Sequence, residues 1–255
     1  MTKRIIEAVQ ELCLGLPEAE EINSHGHPGF RVRQKLFAYY CVNHHGDGRV
    51  ALWLNSPPGI QHANVSLNPG CFFVPPYFGP AGWLGVELNK GMDWSEISRL
   101  VYEAYVHKAP KRLASGLDGC ISIIPPDEVM TAADINPLLV AGPSKLVSRL
   151  DRHCRRFPEV TEGLQFGSPV WKAGKKTFAG ARHAFGRLIF QFWVGIDQQA
   201  MLTEDDRYSI PDYMGNKGWI NLDVDDGINW DEIDYLLETS FRHFALKRMI
   251  KSLAK

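Results

Sequence analysis

The segment CLGLPEAEEINSHGHPGFRVRQKLFA, Cys13–Ala38, determines the predicted architecture, because a similar segment recurs later in the chain. Residues Cys154–Ala179, CRRFPEVTEGLQFGSPVWKAGKKTFA, align with it without a gap at an offset of 141 residues. The coinciding positions are Cys13/Cys154, Pro17/Pro158, Glu18/Glu159, Glu21/Glu162, Gly26/Gly167, Pro28/Pro169, Lys35/Lys176, Phe37/Phe178 and Ala38/Ala179. Similarity at a fixed offset indicates a repeated structural unit.

A second block, Pro75–Ile97, recurs as Pro211–Ile233 at an offset of 136 residues. The sequence therefore predicts two copies of one module, copy one at residues 1–114 and copy two at residues 143–255. Residues 115–142 carry four acidic and no basic side chains. With IIPPDE and AGPS as breakers, this stretch is predicted to be an acidic linker with room for a helical turn.

Each copy has the pattern of an α+β module. Apolar residues at helical spacing predict an opening helix that ends before Pro17 in copy one and before Pro158 in copy two. A hairpin, an alternating strand, a short helix and two more strands are expected next. The last helix should begin at DWSE or NWDE, where Asp93 and Asn229 are good N-caps and Glu96 and Glu232 complete capping boxes. The fold class is thus two tandem two-layer modules, each with an N-terminal helix, an antiparallel sheet and a C-terminal helix.

Composition excludes several functional classes. The 255 residues carry 28 basic and 29 acidic side chains, a net charge of −1, which is atypical of a strongly basic nucleic-acid or membrane-surface protein. No apolar run approaches the length of a membrane span, and the N-terminus lacks the apolar core of a signal peptide. The five scattered cysteines include no C-x-x-C pair. A cytoplasmic protein without a disulfide framework is expected.

The ordered motifs resemble a known family. The segments LPEAEE, GHPGFRV, KLFA, PPYFG, GWLGVEL and DWSEI of copy one are similar to those of the MmcQ/YjbR family of small bacterial proteins. Copy two is a diverged version, and the fusion of two modules departs from the usual single module. The resemblance implies a fold like that of type III secretion chaperones. It also implies the family's presumed role, DNA binding through two β wings.

The histidines of copy one raise the question of a metal site. His25 and His27 align with Phe166 and Ser168 of copy two, and His44 and His45 align approximately with Phe185 and Gly186. Copy two keeps the fold markers without these histidines, so the module does not require them. Gly26 and Pro28 predict a turn here, and no nearby acid or cysteine supplies a third ligand. A structural or surface role is favoured, and no metal or cofactor is expected.

Other candidate chemistry is weak. Glu18 and Glu21, repeated as Glu159 and Glu162, are interpreted as exposed turn acids rather than a catalytic pair. Neither a nucleophile elbow nor a phosphate-binding glycine loop is present. DVDDG at Asp223–Gly227 lacks the distal glutamate of a calcium loop. The repeated tryptophans, Trp83/Trp219 and Trp94/Trp230, are assigned to the core. The chain is expected not to be an enzyme.

The basic residues are the candidate site. Copy one has 11 basic and 10 acidic residues, net +1, and copy two has 17 and 15, net +2. Both predicted hairpin turns are nevertheless basic, and in copy one the three cations would project to one side of a strand. A hairpin tipped with cations could contact phosphates, or its charges could serve solubility and edge protection. The candidate DNA contacts are Arg31, Arg33, Lys35, Lys172, Lys175, Lys176 and Arg182. Copy two adds Arg149, Arg152 and Arg156 on its first helix and Lys247, Arg248 and Lys251 near the end of its last.

A non-enzymatic protein-interaction or adaptor module is the alternative. An exposed apolar patch beside Pro75–Trp83 would favour it, and a fully charged surface would disfavour it. DNA, bound weakly or non-specifically, or a protein is the expected partner. The chain is expected to be a monomer that behaves as an internal pseudo-dimer.

Overall fold

A computed structural model describes residues 2–24, 26–117, 119–184, 186–225 and 227–253. The chain forms two compact units. The first unit is Met1–His44 with Gly48–Thr131, and the second is Ala132–Lys255 with His45–Asp47. The first unit carries copy one and the second carries copy two.

The first unit is one antiparallel sheet packed against helices. Its helices are α1 (Ile5–Leu14), α2 (Ile60–Leu67), α3 (Trp94–Lys108) and α4 (Lys111–Ala114), with a 3₁₀ turn at Gly79–Ala81. Its strands are β1 (Ala19–Ser24), β2 (His27–Val32), β3 (Lys35–Val42), β4 (Val50–Asn55), β5 (Phe72–Phe73) and β6 (Trp83–Glu87). The strand order is β1-β2-β3-β4-β6-β5. Helices α1 and α3 pack on one face, and α2 packs on β5 and β6.

The second unit repeats this topology. Its helices are α5 (Ala132–Ile135), α6 (Ala141–Cys154), α7 (Ile196–Leu202), α8 (Trp230–Phe244) and α9 (Lys247–Leu253), with 3₁₀ turns at Pro137–Leu139 and Gly215–Lys217. Its strands are β7 (Val160–Gln165), β8 (Ser168–Ala173), β9 (Lys176–Ala184), β10 (Arg187–Trp193), β11 (Tyr208–Ser209) and β12 (Trp219–Val224). The sheet order, β11-β12-β10-β9-β8-β7, is that of the first unit read from the opposite edge. The predicted fold class, two tandem α+β modules, is confirmed.

The predicted helix starts are correct, but the capping boxes are not formed as expected. The side chain of Asp93 accepts a hydrogen bond from Ser95 N at 2.9 Å, and that of Asn229 accepts one from Asp231 N at 3.0 Å. Glu232 instead accepts a hydrogen bond from the Tyr208 hydroxyl at 2.7 Å. This bond ties the first turn of α8 to strand β11.

The first strand of each sheet was missed by the sequence analysis. Strands β1 and β7 lie where exposed turn acids were predicted, so Glu21 and Glu162 belong to strands. The turn expected around Gly26–Pro28 is shorter than predicted, because His27 already begins β2. Both missed strands are edge strands with little burial on either face, which removes the apolar alternation that identifies a strand.

Both hairpins contain the same irregularity. The β2–β3 register shifts between Phe30 and Arg31, and the β8–β9 register shifts at the equivalent step, Trp171 to Lys172. The extra residue on the partner strand is a fully buried phenylalanine in each copy, Phe37 or Phe178. A β-bulge adds one residue and bends the strand, so the repeated Lys-x-Phe-Ala motif is explained as a bulge that turns a ring into the core.

The repeated tryptophans lie in the cores, as predicted. Trp83 is 4% exposed, Trp219 is 8% exposed, and Trp94 and Trp230 are each 9% exposed. They therefore stabilise the modules by burial rather than offering stacking surfaces.

The segment after α4 runs back along the first unit. Ser98 Oγ donates to the Ile121 carbonyl at 2.5 Å, and the Ile5 amide donates to the Glu128 carboxylate at 2.7 Å. A carboxylate at this position interacts favourably with the positive N-terminal end of the α1 dipole. The boundary between the units falls at Thr131, and a helical turn, α5, follows it at once.

Across the described ranges, no helix is both long and apolar enough to cross a bilayer. No disulfide joins any of the cysteines in the same ranges.

Candidate nucleic-acid interface

The structure separates the predicted cations of copy one. Arg31 lies on β2, Arg33 lies in the turn with φ +47°, and Lys35 begins β3. They do not project to one side of a single strand, so that expectation was wrong. The two-residue turn places them on different elements.

Most of the positive charge of this hairpin is neutralised. Arg31 Nε donates to Glu20 Oε1 at 2.7 Å, and Glu20 lies directly opposite it on β1. Arg33 forms an ion pair with Glu18. Glu18 also contacts Arg112 of α4 at 3.4 Å. Of the three hairpin cations, Lys35 alone forms no ion pair within the described residues.

The hairpin of copy two is different. Lys172 occupies the position of Arg31, but its partner on β7 is Thr161 where copy one has Glu20. Lys175 lies in the turn, Lys176 begins β9, and both are exposed. In the described part of the chain, none of the three lysines forms an ion pair. The hairpin therefore presents three uncompensated positive charges.

The copy-two equivalent of Glu18 already has an arginine partner, so it does not neutralise these lysines. Glu159 corresponds to Glu18, and it forms a bidentate contact with Arg248 of α9, with Arg248 Nη2 2.6 Å from Glu159 Oε2. The hydrogen bond from Arg248 lowers the pKa of Glu159. Arg248 and Arg112 are equivalent residues, so both copies tie the residue after the helix-ending proline to the last short helix.

Helix α9 adds charge beside the turn. Lys247, Arg248 and Lys251 were expected near the end of the last helix, but α8 ends at Phe244 and they form a separate helix. A methyl group of Leu246 lies 3.4 Å from the Cβ position of Gly174, so the start of α9 adjoins the turn. Lys247 and Lys251 are exposed and lie one turn apart on the helix. We refer to Lys172, Lys175, Lys176, Lys247 and Lys251 as the copy-two basic surface.

Arg182 does not join this surface. It lies on β9 six residues beyond Lys176, roughly 20 Å away along the strand. Its side chain is half-buried, and its Nε is buried without a hydrogen-bond partner among the described residues. Burial lowers the pKa of Arg182, opposed by the charge of Asp212. This arginine is committed to the sheet face rather than to the hairpin tip.

Two of the arginines expected on the first helix of copy two make structural contacts, although Arg156 lies beyond the end of α6 at Cys154. The Arg149 guanidinium lies 4.2 Å from the centre of the Trp230 ring. Arg156 pairs with Asp234 of α8, and His153 Nδ1 is 2.5 Å from the same carboxylate. These contacts hold α6 against α8.

The histidines lie in an aromatic cluster. The His27 ring is 5.7 Å from that of Tyr39, and the His44 ring is 4.7 Å from that of Trp53. Burial raises the pKa of Tyr39 to about 12. His25 lies outside the described residues, and within those residues no three histidine, cysteine, aspartate or glutamate side chains converge as metal ligands would.

The repeated acids make structural contacts. Besides the pairs of Glu18 and Glu159, Glu21 accepts a hydrogen bond from Gln10 at 2.9 Å, and Glu162 accepts one from Arg155 at 2.7 Å. The start of DVDDG belongs to strand β12, where Asp223 pairs with Arg187.

Two repeated features escaped the sequence analysis. Gln61 Nε2 donates to the Gly79 and Trp83 carbonyls, and Gln199 Nε2 donates to those of Gly215 and Trp219. In addition, Tyr77 and Tyr213 both adopt a φ of +64° and are largely exposed. A bulky residue at positive φ is a strained conformation, and no sequence pattern considered above signals it.

The structure thus contains two similar α+β modules in tandem, with a cationic hairpin in the second. The model of the YjbR family matches residues 14–107 and again residues 155–243, so the chain belongs to the YjbR family. A crystal structure of a Deinococcus radiodurans protein with a DUF419 domain is similar at 14% identity and a TM-score of 0.40. The match covers 48% of this chain and 97% of that one. No protein in the curated comparison matches the chain.

Proposed function

We propose that the chain binds the phosphate backbone of duplex DNA through the copy-two basic surface. The observation that carries this proposal is the loss of acidic partners. Equivalent hairpins bear three cations each, but Glu20 and Glu18 pair with the arginines of copy one, whereas no described acid pairs with the lysines of copy two. Uncompensated ammonium groups on a protruding hairpin suit phosphate contact.

The chemistry favours binding without sequence specificity. Lysine is a point charge that lacks the planar fork with which arginine recognises guanine. The five residues of the surface include no aromatic ring for stacking on bases, so single strands gain no added affinity there. The lysines would therefore hold a duplex by counterion release.

The expected binding is weak and strongly dependent on salt. Five phosphate contacts would give a slope of log affinity against log salt of about −4 to −5. The near-neutral net charge of −1 limits long-range attraction, so we expect micromolar affinity only at low salt.

Fluorescence anisotropy of a labelled duplex across a salt series tests the proposal. Replacing Lys172, Lys175 and Lys176 with alanine should weaken binding and make the slope of log affinity against log salt less negative by about 2 to 3. The control variant replaces Lys90, Lys145 and Lys217, which removes the same charge elsewhere and should leave the slope within about one unit.

Two results would count against the proposal. An unchanged slope in the hairpin variant would place any DNA contact elsewhere. Equal losses in both variants would show that net charge alone governs binding.

We further propose that the role is non-catalytic and cytoplasmic. The pairing of all four repeated acids with neighbouring side chains supports the first point, and cysteines without disulfide partners in the sheets and helices support the second. A protein-interaction module is the second candidate, favoured by the exposure of Leu67, Val74 and Tyr77 in copy one.

A further inference from the structure

Copy one contains a long segment without formal charge. Between Arg49 and Glu87 lie 37 residues, 50–86, and none of them is aspartate, glutamate, lysine or arginine. Charged residues make up 22% of the whole chain, so a segment of this length would ordinarily carry about eight. The segment includes α2 and the 3₁₀ turn at Gly79–Ala81.

Much of this segment is surface. Leu67 is 83% exposed, Tyr77 is 70% exposed and Val74 is 53% exposed. We refer to the exposed residues Pro58, Leu67, Val74, Pro76, Tyr77 and Pro80 as the copy-one uncharged face. Exposed apolar residues scattered singly need no explanation, but a face free of charges is typical of a binding surface.

Hydrogen bonds hold the parts of this face together. The Gln61 amide joins α2 to the Gly79 and Trp83 carbonyls at 2.9 and 2.6 Å. The Gly79 amide in turn donates to the Pro75 carbonyl at 2.8 Å. Since α2 also packs on β5 and β6, the helix and the proline-rich segment are held next to each other.

An aromatic layer supports the face from below. The Phe78 ring lies 4.7 Å from that of Trp83, 5.8 Å from that of Trp53 and 6.0 Å from that of Tyr39. Tyr39, Trp53, Phe73 and Trp83 are buried in one cluster. A rigid layer of this kind reduces the entropy lost when the surface is covered.

Copy two has lost both properties. The corresponding stretch between Arg187 and Asp223 carries five acidic and two basic residues, a net charge of −3. The positions of Trp53, Gly85 and Phe73 in the sheet are taken by Gln191, Asn221 and Ser209, which hydrogen-bond to one another. The module fold therefore does not require an uncharged face.

We propose that the copy-one uncharged face binds the same face of a second copy of this chain. A two-fold interface brings each patch against itself, so any charge on it meets a like charge unless it lies away from the axis. A patch without charge avoids this repulsion, whereas the acidic equivalent in copy two would repel its own copy. Leu67, Val74 and Tyr77 supply the apolar contacts, and a dimer would carry two copy-two basic surfaces.

Sedimentation velocity of the full chain from about 1 to 200 µM tests the dimer, since micromolar dissociation constants are typical of modest interfaces. The wild type should shift from monomer to dimer over this range. Leu67→Glu should weaken the dimer at least about tenfold, because it places a charge in each half of the interface. Leu67 is 83% exposed, so the folded monomer should tolerate the change, and an unaltered circular dichroism melt confirms this.

The matched control is Met201→Glu on α7 of copy two, 73% exposed, which should dimerise like the wild type. Hydrogen exchange should slow with protein concentration in residues 60–82 and not in residues 196–218. A wild type that stays monomeric at the highest concentration overturns the proposal, as does a Leu67→Glu dimer of unchanged strength. Equal weakening by Met201→Glu would also overturn it. The measurement involves no DNA, so its outcome is separate from that of the proposed function.

Discussion

Gln61 and Gln199 occupy equivalent places in the two units. Each amide donates two hydrogen bonds, one to the glycine carbonyl of the 3₁₀ turn and one to the following tryptophan carbonyl. The chain between this glutamine and the tryptophan is two residues shorter in copy two, yet the amide meets the same pair of carbonyls.

Removing either amide should destabilise its unit. Gln199→Met keeps the size of the side chain and leaves the Gly215 and Trp219 carbonyls without this donor, which should lower the free energy of unfolding by about 2 kcal/mol. Urea denaturation measures the change. Asp197→Asn, two residues earlier on the same short helix, should alter stability by less than about 0.5 kcal/mol. The reverse ranking would contradict the assignment of Gln199.

A glycine in the hairpin turn of copy one should stabilise the folded protein. Arg33 and Gln34 both have positive φ, at +47° and +65°, whereas copy two places Gly174 first in the equivalent turn. Gln34→Gly should raise the free energy of unfolding by about 1 kcal/mol, because glycine adopts this region without strain. Lys175→Gly, at the equivalent position where no positive φ occurs, should bring no gain. A stabilisation of equal size at both positions would mean that turn strain is not the cause.

The glycine of β6 should be coupled to the phenylalanine that covers it. A Cβ at Gly85 would lie about 2.5 Å from the Phe73 ring, so Gly85→Ala should cost about 1 to 3 kcal/mol by overpacking. The pair Gly85→Asn with Phe73→Ser reproduces Asn221 and Ser209 of copy two, and should be less destabilising than the sum of the single changes. Strict additivity in a double-mutant cycle would refute the coupling.

Low pH should remove the stabilisation that two carboxylates of copy two, Asp151 and Asp234, contribute to the fold. Burial raises the pKa of Asp151, but hydrogen bonds from Arg155 and Trp171 outweigh it and hold the pKa below its usual value. At Asp234 burial also raises the pKa, and hydrogen bonds from Arg156 and His153 lower it on balance. A carboxylate with a depressed folded pKa stabilises the fold above the unfolded value, and that stabilisation is lost as pH falls through the folded pKa.

The variant Asp151→Asn with Asp234→Ser should therefore unfold at lower urea than the wild type at pH 7. The difference should shrink as the pH is lowered below about 4. Asp206→Asn, at an exposed acid without an ion pair in the described residues, should follow the wild type at every pH. A difference independent of pH would show that the two carboxylates contribute through packing alone.

The repeat was sufficient to predict two tandem α+β modules, because the matched motifs recur in the same order at two fixed offsets. It did not show that residues up to Thr131, within the predicted linker, belong to the first unit. The cationic hairpins were also located correctly. The sequence did not predict that acids pair with the arginines of copy one but not with the lysines of copy two. The residues that make this difference, Glu20 and Thr161, lie on the edge strands β1 and β7, which lack apolar alternation. Without those strands, the cross-strand pairs Arg31–Glu20 and Lys172–Thr161 could not be predicted from the sequence.

Long-range side-chain contacts explain the other features that could not be predicted from the sequence. Glu232 satisfies the local pattern of a capping box, yet Tyr208, far away in sequence, takes its carboxylate. Lys247 and Lys251 follow α8 closely enough to suggest a continuous helix, but the backbone bends at Ala245 and begins a new one. A local sequence window contains no information on such partners.

The proposed phosphate contact of the copy-two hairpin depends on Thr161, which stands where copy one has Glu20, so the sharpest experiment exchanges these two residues. Duplex DNA binding should be measured over a salt series for the wild type, Thr161→Glu and Glu20→Thr. Thr161→Glu is expected to pair with Lys172 and to reduce the magnitude of the salt slope by about one, while Glu20→Thr frees Arg31 and does not weaken binding. Absence of binding by the wild type at low salt, or an unchanged slope in Thr161→Glu, would refute the proposed phosphate contact.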